Sequence, residues 1–123
     1  MDFMDKLVQK VSEGTKVLSQ KTDEIIEITE LKVSMKKMEA DIEEIKFMIG
    51  DLVYNYYLSN NTSIPTLEIK ERCKEIQRLE QEVNRIKVRV NRLRGLAYCS
   101  SCGEFLEEEE NYCPKCGHRN TRY

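Results

Sequence analysis

The sequence predicts a mainly α protein: a long antiparallel coiled-coil helical hairpin followed by a small C-terminal β-hairpin pinned by four cysteines. Three observations predict it. Leu31, Met35, Met38, Ile42, Ile45, Ile49, Leu52 and Tyr56 step by alternating fours and threes, and Ile76, Leu79, Val83, Ile86, Val90, Leu93 and Ala97 repeat the pattern. Sustained spacing of this kind marks the seam of a coiled coil. A polar stretch, residues 59–65, separates the two runs, and the tail carries Tyr-Cys-x-x-Cys-Gly twice, at Tyr98 to Gly103 and Tyr112 to Gly117.

Composition agrees with extended helices rather than a wide core. Of 123 residues 34% are charged, and there is no Trp and only two Pro. A net charge of −2 gives no global attraction to nucleic acid or to an acidic membrane surface. No apolar run reaches the length of a membrane span, and no continuous apolar leader stands at the start. The expected location is cytoplasmic.

Residues 1–21 read as an amphipathic N-terminal segment. Met4, Leu7, Val8, Val11 and Leu18 fall near one helical face, which Gly14 and Thr15 interrupt. Its charges are balanced, whereas interfacial helices carry a basic face, so membrane association is not expected. Thr22 followed by Asp23 and Glu24 has the pattern of a helix start. The hairpin is therefore expected over residues 22–97, with helices at about 22–58 and 65–94. Pro65 suits the first turn of the second helix, and Gly95 stands where a helix C′ residue should.

Charge pairing predicts the register. Placing Ile42 opposite Ile86, Ile45 opposite Val83 and Ile49 opposite Leu79 sets Glu39 against Lys87, Lys46 against Glu80 and Asp41 against Arg89. A seven-residue shift sets like charges together. In that register residues before about 30 overhang the end of the second helix, where Ile25, Ile26 and Ile28 could meet Leu96, Tyr98 or Phe105. A second stripe, Ile26, Val33, Ala40, Phe47 and Tyr54, recurs every seven residues away from the seam. Exposed apolar stripes usually find a partner. Two occupants are open: residues 1–21 folded back as a third helix, or a second copy, a homodimer through helix 1.

The tail, residues 98–123, carries the chemistry. A Cys-x-x-Cys turn sets two sulfurs on one side of a tight loop, and the following Gly takes a positive φ without Cβ strain. Two such turns supply Cys99, Cys102, Cys113 and Cys116, a soft anionic set that suits one tetrahedral Zn²⁺. The ten residues between Cys102 and Cys113 are enough for a small β-hairpin joining the turns. Four thiolates fill the shell, so the metal is expected to be structural. Redox and disulfide readings lack the βαβ context and the secretory signal they need.

The chain resembles the small bacterial zinc-ribbon-domain proteins of Gram-positive type. The matching pieces are Phe3-Met4-Asp5-Lys6-Leu7, Ile49-Gly50-Asp51-Leu52-Val53-Tyr54 and the two cysteine turns. The resemblance implies zinc held by the same four cysteines. It implies no defined wider function. Ser100-Ser101 departs from the commoner Pro-x filling of the first turn, though neither residue is a ligand.

Other constellations carry less. His118 reads as a surface residue, and Cys73 as a half-buried inert thiol beside the seam. Glu107 to Glu110 read as a solvated tip. No Gly-rich phosphate loop, paired His or acid–base pair in a pocket is present, so no enzyme is expected. The expected function is a non-catalytic adaptor, a coiled-coil stalk presenting a structural zinc ribbon to a protein partner. The alternative is a nucleic-acid-binding module using the ribbon and the basic run 85–94.

Overall fold

The structure is a computed structural model that describes residues 3–60 and 63–120, with side chains described from residue 20 onward. Two helices, α1 (Phe3–Ser59) and α2 (Thr66–Leu93), pack against each other in opposite directions. The amphipathic face expected at residues 1–21 lies outside the described side chains.

The expected helix start at Thr22 does not occur, because α1 is one 57-residue helix that begins at Phe3. A single Gly inside a helix costs only about 1 kcal/mol relative to Ala, so Gly14 does not break it. At 1.5 Å per residue α1 is about 85 Å long and α2, with 28 residues, about 42 Å. α2 therefore lies along only about half of α1, the half next to the connection.

The ends of the helices follow local chemistry. Asn60 closes α1 with φ 52°, the left-handed conformation that Asn tolerates. Pro65 precedes α2, and its carbonyl accepts the Ile69 N–H at 3.1 Å. α2 ends in a Schellman turn: Gly95 takes φ 67°, its N–H donates to the Arg92 carbonyl at 3.0 Å, and Leu96 N–H donates to the Asn91 carbonyl at 2.8 Å.

The core is the meeting of the two seams. Ile42, Ile45, Leu79 and Val83 form one buried cluster, with Met35, Met38, Ile49 and Ile76 packed against it. Ile45 with Val83, and Ile49 with Leu79, share this cluster as the register required, but Ile86 stands outside it. The charged pairs also depart from expectation. Glu39 does lie beside Lys87. Arg89, however, pairs with Glu27 at 2.7 Å rather than with Asp41, and Lys46 bonds Glu43 on its own helix at 3.4 Å. Glu27 precedes Asp41 by about 21 Å of helix, and an exposed Arg is held to one carboxylate too weakly for its partner to follow from register alone. Of the three isoleucines expected near the tail, Ile25 and Ile26 are 64% and 51% exposed, whereas Ile28 is half-buried. Cys73 is exposed rather than half-buried, because it sits one residue past the buried face of α2.

The expected β-hairpin between the cysteine turns is not formed. Among the described residues the tail has two isolated β-bridges, Tyr98 with Phe105 and Tyr112 with Arg119. Each Cys-x-x-Cys-Gly turn reverses the chain by itself, so its own flanks face each other. The acidic linker forms a separate turn, with Glu110 N–H donating to the Glu107 carbonyl at 3.1 Å.

Candidate metal centre

The two cysteine turns are built alike, fourteen residues apart. Cys99 N–H donates to the Glu104 carbonyl at 2.8 Å, as Cys113 N–H does to the His118 carbonyl at 2.9 Å. Gly103 and Gly117 return N–H bonds to the Cys99 and Cys113 carbonyls, both at 2.9 Å, and both glycines adopt φ 77°. That φ is strained for any residue with a Cβ.

These turns face each other and bring four sulfurs together. The Sγ atoms of Cys99, Cys102, Cys113 and Cys116 all lie within 4.8 Å of one another. Across the turns, Cys99 Sγ is 3.7 Å from Cys116 Sγ, and Cys102 Sγ is 3.6 Å from Cys113 Sγ. A tetrahedron with metal–sulfur bonds of about 2.3 Å has edges of about 3.8 Å, so the spacing fits one tetrahedral ion such as zinc. Cys99 and Cys113 are buried, Cys102 is half-buried and Cys116 is exposed. His118 does not join the cluster and is exposed.

Thiols this close cannot ionise independently. Burial opposes ionisation of Cys99, but N–H donors from Cys102, Asn120 and Ser101 outweigh it and bring the thiol down to about 6. Cys102 goes the other way. Burial and the neighbouring sulfurs push it up to about 12, against one donor from Glu104. Cys113 is lowered, chiefly by the Cys116 N–H. Only a cation can make all four sulfurs anionic together, and a coordinated thiol is deprotonated outright. When bound, such an ion would cross-link the two turns and so contribute directly to folding of the tail.

Two asparagines absent from the sequence-based site complete it. Asn120 is buried, and its amide donates to Cys99 Sγ at 3.4 Å and to the His118 carbonyl at 3.1 Å. Its Oδ1 accepts from Ser100 N–H at 3.0 Å and Ser100 Oγ at 3.2 Å. In the repeat Asn120 takes the place of Leu106, which is buried in the first turn. Aligning the two turns fourteen residues apart exposes this Leu-to-Asn exchange and was the available signal. Asn91, on α2, donates to the Gly103 carbonyl at 2.8 Å. Nothing local in the sequence marks it.

The first turn is seated on α2. A Cβ at Gly103 would stand 2.7 Å from the Asn84 carbonyl oxygen and 3.0 Å from Val88 Cγ2, whereas one at Gly117 would meet nothing. Lys87 reaches Glu104 at 3.0 Å, and Lys115 reaches the same carboxylate at 3.5 Å. The Lys87 hydrogen bond, against an opposing contribution from burial, holds the Glu104 carboxyl below its usual range.

The basic run lies on the neighbouring groove. Arg85, Arg89 and Arg92 line a 520 Å³ cleft with Ser100 and Ser101. Each has an internal partner: Glu82 for Arg85, Glu27 for Arg89, and for Arg92 the Tyr98 hydroxyl at 3.1 Å. Glu107, Glu108 and Glu109 are exposed in the linker between the two cysteine turns. Among the described residues no helix is long and apolar enough to cross a membrane.

Comparison with family models, curated proteins and solved structures returns no match. The resemblance to zinc-ribbon-domain proteins thus gains no support from them. What the fold and the site define is a class: a two-helix protein with a four-cysteine cluster positioned to coordinate one metal ion.

Proposed function

We propose that the chain is a non-catalytic adaptor in which a coiled-coil stalk presents a structural zinc ribbon to a protein partner. The observation that carries this reading is the closed set of four sulfurs, whose cross-turn distances of 3.6 and 3.7 Å match the edges of a tetrathiolate site. Four protein ligands leave no open position for water or substrate. The seating of Gly103 on α2 supports a fixed rather than swinging head. Metal analysis of the purified reduced protein should find one zinc per chain. Cobalt substitution should give the absorption of a tetrahedral thiolate site. Protein without metal, or cobalt in octahedral geometry, would overturn the reading. For the adaptor role, a partner should be retained by the native chain and lost with Cys102→Ser/Cys113→Ser.

The Arg85, Arg89 and Arg92 groove favours a second reading, nucleic-acid binding beside the ribbon. The internal partners of all three arginines weigh against it. Binding to RNA or DNA that falls steeply with salt would favour the groove; salt-independent retention of a protein would favour the adaptor.

A further inference from the structure

We propose that the outer face of α1 binds a second copy of this chain, antiparallel, with a twofold axis at Ala40. The face is formed by Ile26, Val33, Ala40, Phe47 and Tyr54. At 100° per residue these lie about 180° around the helix from Ile42 and Ile45, away from α2. Ile26, Val33, Phe47 and Tyr54 are 51–70% exposed. Because α1 is continuous from Phe3, residues 3–19 prolong its axis and do not fold back over this face.

The charges flanking the stripe say what covers it. Lys36 and Lys37 stand on either side of the stripe one turn before Ala40, and Glu43 and Glu44 stand in the same two rows one turn after it. All four are exposed. A twofold axis at Ala40 sets Lys36 against Glu43 of the second copy and Lys37 against its Glu44, each pair occurring twice. The same operation sets Val33 against Phe47 and Ile26 against Tyr54, a small residue against a large one each time. Ala40 meets itself, where a short side chain lets two helices approach closely. Glu30 against Asp51 is the one opposed pair.

A parallel dimer instead sets Lys36 and Lys37 beside themselves and Glu43 and Glu44 beside themselves. A symmetric dimer requires a patch that complements itself, and this strip does so only in the antiparallel sense. From Ile26 to Tyr54 it is about 42 Å long and about 10 Å wide, so two copies bury on the order of 800 Å², the size of a weak, reversible interface. Exposed pairs of this kind set orientation more than strength.

The test is sedimentation equilibrium of the full zinc-loaded chain, with helicity followed by circular dichroism. The native chain should be a dimer at tens of micromolar. Lys36→Glu/Lys37→Glu makes the four central flanking charges all acidic, and Glu43→Lys/Glu44→Lys makes them all basic. Each should weaken self-association roughly tenfold or more while keeping the helical signal. An equimolar mixture of the two variants should recover the dimer mass as a heterodimer. The quadruple variant, with the charge order reversed, should dimerise like the native chain. A native monomer at several hundred micromolar would overturn the proposal. So would a dimer indifferent to both swaps, or one that the swaps dissociate and mixing does not restore. Should a swapped variant lose helicity, Ala40→Glu replaces it with the same expected loss of dimer, and a persistent dimer then overturns the proposal.

Discussion

The amide of Asn91, in the last turn of α2, donates to the carbonyl of Gly103, the glycine that closes the first cysteine turn, at 2.8 Å. Asn91 is buried, so this bond joins α2 to the first cysteine turn where water cannot replace it. Removing the amide leaves the Gly103 carbonyl without its donor. Asn91→Ala should cost about 1–3 kcal/mol of stability. Thermal unfolding of the zinc-loaded protein measures this, and cobalt absorption should show the site still tetrahedral.

The two turn glycines separate backbone strain from docking. Gly117→Ala meets open space, so only the left-handed φ is strained, by about 1–2 kcal/mol. Gly103→Ala carries the same strain and also drives a methyl to 2.7 Å from the Asn84 carbonyl. It should be the more damaging of the two and should loosen the tail from α2. Hydrogen exchange at residues 98–106 distinguishes them. Equal effects would mean the seating contributes nothing.

Asn120→Leu copies the first turn's Leu106 into the second. It fills the same space with an apolar side chain and removes the N–H donated to Cys99 Sγ. Loss of such a supporting bond typically lowers metal affinity 10–100-fold. Competition with a chelator should show this loss with little change in the helical signal.

Glu104 gives a pH signature. The Lys87 hydrogen bond lowers its folded-state pKa, so its contribution is complete above the unfolded carboxylate value of about 4.3. The contribution is lost as pH falls through the lower folded value. The stability difference between native protein and Glu104→Gln should therefore be constant near neutral pH and shrink in acid. Using the difference cancels metal loss common to both.

Chelation should melt the tail and spare most of the helices. The helical seam closes on its own cluster of Ile42, Ile45, Leu79 and Val83, while the tail's buried apolar groups are Cys99, Leu106 and Cys113. So small a unit has little core without its ion. Far-ultraviolet circular dichroism should keep its helical shape as amide signals of residues 98–120 collapse. Loss of the helical signal would mean stalk and tail fold as one unit.

Periodicity by itself determined the two helical seams, and repetition determined the four sulfurs. Both are local signals: a 3,4 pattern names a helix face, and a Cys-x-x-Cys-Gly turn folds within its own few residues. The polar break and Gly95 likewise marked their ends through backbone chemistry. Where α1 begins was not legible, because a long helix carries one unfavourable residue such as Gly14 at small cost. The pairing of Arg89 with Glu27 rather than Asp41 was not legible either, because a long exposed side chain takes whichever carboxylate it reaches at little cost. Only tertiary structure placed Gly103 against Asn84 and Val88, bonded Asn91 to the Gly103 carbonyl and set Asn120 beside Cys99 Sγ. Those contacts join residues far apart in the chain, where packing and burial decide between arrangements that local pattern leaves equal.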